Sequence, residues 1–149
     1  MELSAAPLLI RFRPDCITPR IGLWGDVRCR VVLTDEPFLG YCRVIWNAHV
    51  REMTDLAAAN RVHLMHVVYA AESALRARLT PTKMNLASLG NQTPHLHWHL
   101  IPRFADDTHF PRPVWAAPQR EATPRALPDD FVASLAGDLA AMLGAPLTA

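Results

Sequence analysis

Residues 95–101 read His-Leu-His-Trp-His-Leu-Ile, a strict alternation of imidazole and apolar side chains. A period of two is that of a β-strand, whose successive side chains point to opposite faces. The segment therefore predicts a strand over 95–101 that buries Leu96, Trp98 and Leu100 and turns His95, His97 and His99 onto the other face. Neighbouring imidazoles would stand about 7 Å apart along it. Three of the chain's seven histidines at this spacing argue against a solvent-facing strand that is His-rich by chance. A His-x-His pair can chelate zinc, but the end histidines would lie roughly 13 Å apart, so one ion could use only two of them, and no cysteine is near. Catalysis by imidazole is the third reading: its unperturbed pKa of about 6.5 leaves a neutral nucleophile near pH 7.

The elements around this strand follow from periodicity and breakers. Residues 28–34 alternate Cys29, Val31 and Leu33 against Arg28, Arg30 and Thr34, which predicts a half-buried strand. Asp35-Glu36-Pro37 reads as a turn into a second strand over 40–46, so the two form a hairpin. Residues 54–79 predict one long helix, capped by Thr54 or Asp55, with Leu64, Val68, Ala71, Leu75 and Leu79 on one face and Thr80-Pro81 ending it. It would span roughly 39 Å. A third strand is expected over 83–89, joined to the histidine strand through Gly90 to Pro94. Residues 1–27 carry Pro7, Pro14, Pro19, Gly22 and Gly25 and read as irregular. Six prolines between 102 and 128 predict an ordered but irregular arm. A short helix over about 129–143 follows, capped by Asp129 or Asp130, with Phe131, Leu135, Leu139 and Met142 on one stripe and Gly144 and Pro146 as stops. The sum is one α+β domain over 1–149, a small antiparallel sheet with one long helix and a short C-terminal helix. Its core spans about 28–104.

Composition narrows the function classes. Half of the 149 residues are apolar, enough for a packed core. Lys+Arg 15 against Asp+Glu 14 gives a net charge of +1, unlike a strongly basic nucleic-acid binder. Cys16, Cys29 and Cys42 form no CxxC pair and read as small buried residues, reduced in a cytosolic setting. The first residues lack a basic region ahead of an apolar run, so no signal peptide is expected. The longest uncharged span, Met84 to Pro102, holds amides, prolines and histidines and cannot cross a bilayer. A soluble cytoplasmic protein is expected.

His95-Leu96-His97-Trp98-His99-Leu100-Ile101 resembles the signature of the histidine-triad superfamily, His-φ-His-φ-His-φ-φ with φ apolar, at every position. Pro102-Arg103 follows, as in the dinucleoside-polyphosphate hydrolase branch. Upstream, the run from Gly40 to Val50 is similar to the family's glycine-led strand ending in a histidine, here His49. The long helix, a strand with Asn85 and a turn with Gly90-Asn91-Gln92 complete the likeness over roughly residues 28–104.

The resemblance implies a nucleotide hydrolase or nucleotidyl transferase. His97 would attack the α-phosphorus of a nucleoside phosphoanhydride, and water would then release a nucleoside monophosphate from the nucleotidyl-histidine. Splitting one displacement into two easier ones is the gain of covalent catalysis. A neighbouring carbonyl must hold the proton on Nδ1 so that Nε2 can attack. His95 and His99 would flank the phosphate, either of them as the proton donor, and His49 would help hold it. Asn85, Asn91 and Gln92 offer amide N–H groups to phosphate oxygens, with Gln92 placed where the family has a phosphate-contacting side chain and Asn91 its one-residue alternative. Asp35 lies where the family holds a ribose-binding acid.

A dinucleoside polyphosphate such as diadenosine tetraphosphate is the favoured substrate. The alternatives are a nucleoside phosphoramidate or a nucleotide-binding module without turnover. No cofactor or protein-bound metal is expected, with Mg only as a counter-ion of the substrate. The resemblance also implies a homodimer paired through the long helix and a strand. The chain departs from the family at Trp46-Asn47, where Pro-Lys is common, and at the bulky Trp98. It has no N-terminal zinc-binding cysteine pair. His63 and His66 read as surface or interface residues of the long helix. His109 and Trp115 in the arm are candidates for a lid over the site.

Overall fold

The computed structural model describes residues 21–147. Five strands form one antiparallel sheet: β1 (Ile21–Gly25), β2 (Cys29–Leu33), β3 (Cys42–Trp46), β4 (Lys83–Ala87) and β5 (His97–Arg103), in the spatial order β1-β2-β3-β5-β4. Two helices, α1 (Ala58–Leu79) and α2 (Phe131–Leu143), pack on one face. That is the expected α+β architecture, with one strand more.

The extra strand is β1, inside the stretch read as irregular; Cys16 and the rest of residues 1–20 lie outside the described residues. Its pairing with β2 slips between Gly22 and Trp24, so Leu23 and Trp24 are both buried and the alternation that announces a strand is lost. Asp26 closes the β1–β2 turn, its Oδ1 accepting the amides of Arg28 and Cys29 at 2.8 Å each.

The long helix starts later than the capping residues suggested. Met53–Asp55 form a 3-10 turn, in which Asp55 accepts the amide of Glu52 at 2.9 Å. α1 proper begins after Ala57 and ends at Thr80, whose φ of 44° takes the chain out of the helix. Its 22 residues reach about 33 Å. Leu64, Val68, Ala71 and Leu75 are buried as expected, joined by Val67, Ala70 and Ala74, while Leu79 is half-buried. On α2, Phe131, Leu135 and Leu139 are buried, but Met142 is 46% exposed. Asp130 precedes α2 without capping an amide through its side chain; it accepts from the Ser134 hydroxyl instead.

The sheet register sorts side chains by chemistry. Cys29, Val31, Leu33, Cys42, Val44, Trp46, Leu96 and Leu100 join the cluster beneath the helices. The opposite face takes Arg30 and Val32 of β2, Arg43 and Ile45 of β3, His97, His99, Ile101 and Arg103 of β5, and Asn85 of β4. Tyr41, one step before β3, has the same parity. From residue 104 to 130 the chain is irregular, as the prolines predicted, and it folds back over the Arg103 end of β5.

Candidate functional site

The strand carrying the histidines runs from 97 to 103, two residues later than expected, and His95 lies outside it. The three imidazoles are therefore not an even row. The rings of His97 and His99 lean together edge to face, centroids 4.7 Å apart. His95 turns away to the end of β3, where its Nε2 meets the Trp46 carbonyl at 2.5 Å and its Nδ1 meets Nδ1 of His49 at 3.0 Å. Chain ends of antiparallel neighbours have joined two histidines that are 46 positions apart.

These contacts fix tautomers. A carbonyl oxygen only accepts. His97 thus carries its proton on Nδ1, donated at 2.6 Å to the carbonyl of His95, and its lone pair sits on Nε2. This is the second-sphere carbonyl that nucleophilic attack through Nε2 requires, supplied by the backbone two residues upstream. His95 donates through Nε2–H to Trp46, so its Nδ1 accepts from Nδ1–H of His49, and the His49 lone pair lies on Nε2. His99, only 7% exposed, meets the Tyr41 hydroxyl through Nδ1 at 2.7 Å.

Two further residues of this face carry no signal in the sequence beyond their place in the glycine-led strand. Tyr41 stacks on His99 with centroids 5.8 Å apart. Arg43 stands across the ladder from His99, its guanidinium 5.6 Å from the Tyr41 ring centre and paired with Glu36 at 3.0 Å. Only the β3–β5 register brings both beside the triad, and register is not written in either strand alone.

The expected phosphate and ribose contacts are dispersed. Asn85 shares the histidine face but spends its Oδ1 on Arg103, which donates at 2.9 Å. Asn91 and Gln92 are exposed in the turn before His95, and Asp35 is exposed after β2. Arg103 is 2% exposed and also donates twice to Asp107, at 2.8 and 3.0 Å, and to the carbonyl of Arg112 at 2.8 Å. Burial disfavours the Asp107 anion, but Arg103 and the amides of His109 and Phe110 outweigh it and hold the carboxyl at about 2. His109 packs edge-on against Phe38, centroids 5.3 Å apart, which ties the arm to the β2–β3 loop; Trp115 is 60% exposed. A cavity of about 310 Å³ lies between that loop and the arm, lined by Thr34, Glu36, Phe38, Phe104, Asp107 and Arg125 among others. It contains none of the triad histidines and adjoins them through the Glu36–Arg43 pair.

A separate group of metal-type donors, Asp26, Cys29 and His63, gathers within 4.8 Å where the β1–β2 turn meets α1. Its members are engaged in contacts of the turn. Asp26 caps the turn and accepts from or pairs with His63 at 2.7 Å, and burial together with the Asp26 charge pushes the Cys29 thiol up to about 12. His63 is thus half-buried at an internal contact, while His66 is exposed. No described helix is long and apolar enough to cross a membrane.

Comparison with known proteins agrees with this geometry. The family model of the HIT domain matches residues 22–106. Among solved structures, a histidine triad protein from Bradyrhizobium japonicum is 26% identical with a TM-score of 0.70, covering 80% of this chain and 90% of that one. One from Marinobacter aquaeolei VT8 is 26% identical with a TM-score of 0.64, over 83% and 88%. A histidine triad (HIT) protein from Sinorhizobium meliloti 1021, 22% identical with a TM-score of 0.65 over 83% and 90%, shares the fold. A comparison with curated proteins finds no match.

Proposed function

The chain belongs to the HIT-domain family, and from that premise we propose that it cleaves a nucleoside phosphoanhydride, a dinucleoside polyphosphate above all, through a nucleotidyl-His97 intermediate. The observation that carries the reading is the 2.6 Å bond from Nδ1–H of His97 to the His95 carbonyl. It makes Nε2 the nucleophile at neutral pH and steadies the positive charge that the ring acquires on attack.

In the first step the His97 Nε2 lone pair forms a bond to the α-phosphorus as the bridging P–O bond breaks, and the rest of the polyphosphate leaves as an anion. In the second, water attacks the same phosphorus, the P–N bond breaks, neutral imidazole is restored and a proton passes to solvent with the nucleoside monophosphate. His99 and the His49–His95 pair would border the phosphate. Asp35 would accept from the ribose hydroxyls, and Gln92 or Asn91 would donate to phosphate oxygens. No cofactor is needed; Mg would ride on the substrate. The protein would act as a homodimer, for which the edge strand β4 and the exposed Val62 and Tyr69 of α1 are available.

The test is quenching of the enzyme and α-phosphate-labelled diadenosine tetraphosphate in alkaline denaturant, because a P–N bond to imidazole survives alkali and not acid. Label retained on the protein and lost in a His97→Ala variant is the expected result. Turnover without label on the wild-type chain would refute the covalent route. Faster turnover of an adenosine phosphoramidate than of the anhydride would move the substrate to the phosphoramidate class. Tight binding of adenosine monophosphate with no turnover of either would make the chain a binding module.

A further inference from the structure

We propose that Tyr41 is a positioning residue that holds His99 as a neutral imidazole with its proton on Nε2, so that His99 serves the reaction as a hydrogen-bond donor to a phosphoryl oxygen and not as an acid that surrenders a proton. The proposal rests on the hydrolase reading for its chemistry, but its structural half stands on contacts within the chain.

Tyr41 is tightly placed. Gly40, at φ 73°, precedes it where a side chain would collide with Leu79 of α1. The Tyr41 amide donates to the Phe38 carbonyl at 3.2 Å, and its own carbonyl accepts from Thr34 N and Oγ1 at 2.9 and 3.0 Å. The ring is 6% exposed. Burial raises the phenol above its ordinary pKa, against the pull of Arg43, so the hydroxyl keeps its proton. Arg43, the charged neighbour on this side, offers N–H donors and no acceptor. The phenol proton therefore points to Nδ1 of His99 at 2.7 Å, and the imidazole proton belongs on Nε2.

His97 and His99 are thereby set in opposite tautomers by two different devices: a carbonyl that accepts from the first and a phenol that donates to the second. The groups around His99 also oppose its becoming a cation. It is buried, Arg43 stands opposite on β3, and the Glu36 carboxylate is engaged with Arg43. A neutral imidazole that gave up its Nε2 proton would become an imidazolate, so its contribution is a hydrogen bond that strengthens as charge grows on the phosphoryl oxygen. Such a site suits a leaving group that departs as an anion, as a polyphosphate does. An amine leaving group has to take up a proton, which this His99 does not supply. The substrate class that follows is the anhydride.

Nitrogen-15 NMR of the imidazoles slightly above neutral pH tests the structural half without any variant. His97 should show its proton on Nδ1 and His99 on Nε2. Tyr41→Phe keeps the stacked ring and removes the donor; His99 should then show a mixture of tautomers. On diadenosine tetraphosphate the variant should lose kcat by about tenfold or more with KM little changed, a split that simple loosening of the fold would not give. A His99 proton on Nδ1 in the wild type, or an unchanged tautomer in Tyr41→Phe, overturns the proposal. If the wild type hydrolyses no nucleotide while His99 shows the Nε2 tautomer, the hydrolase reading fails and the positioning by Tyr41 stands.

Discussion

The N-terminal end of β5 carries His97 and His99, and its C-terminal end carries Arg103; all three lie on one sheet face, and they are held in opposite ways. Each histidine has its Nδ1 held by a neutral group, the His95 carbonyl or the Tyr41 hydroxyl. Arg103 is clamped by two bonds to Asp107, one to Asn85 and one to a carbonyl of the arm. For His97 the neutral partner orders the ring without forbidding the positive charge that attack would place on it. A buried ion pair whose three guanidinium nitrogens are all hydrogen-bonded resists change, because breaking it strands a charge away from water. On the proposed reading, one end of the strand serves chemistry while the other anchors the arm.

The comparison is broken most directly by exchanging the consequences. His97→Ala should lower kcat on the anhydride by about 10⁴-fold while thermal unfolding stays near that of the wild type. Arg103→Met should do the reverse, costing about 3 kcal/mol of stability through the stranded Asp107, read as a lower urea midpoint. An Arg103→Met chain as stable as the wild type would show that the clamp is ornamental.

Acid sharpens the same contrast. The Asp107 carboxyl is held at about 2, below its ordinary 3.8. A depressed pKa contributes stability that is present above the unfolded value and lost as pH falls towards the folded one. The arm should therefore stay anchored down to about pH 4 and loosen between about 4 and 2. Catalysis should fail earlier, as protonation of His97 removes its lone pair. Activity lost well above the pH at which the fold loosens is the expected order in parallel rate and unfolding profiles; coincident losses would contradict it.

The smallest effect concerns the core face. Burial pushes the thiols of Cys29 and Cys42 up to about 12, so neither ionises near neutral pH. Peptide mapping after iodoacetamide treatment of the native protein should find both unmodified, and modified only once urea unfolds the chain.

Much of this was legible in the residues. The period-two run of histidines announced both the strand and its two faces, because alternation follows from backbone geometry alone. The stripes of α1 and α2 and the punctuation by Thr80-Pro81 and Gly144 were local in the same sense. β1 was hidden because a bulge buries Leu23 and Trp24 in succession and erases the pattern. The start of α1 was misplaced because Asp55 caps a single 3-10 turn before the helix instead of the helix itself.

At the site, the sequence by itself determined which imidazoles exist and that His97 and His99 share a face. Only tertiary structure decided what each ring does. The tautomers depend on a carbonyl, a phenol and another imidazole. Two of those partners, Tyr41 and His49, come from β3 or just beyond its ends and are 58 and 46 positions from the rings they touch. Strand pairing sets those distances, and no local propensity encodes which residue of one strand will stand beside which of another.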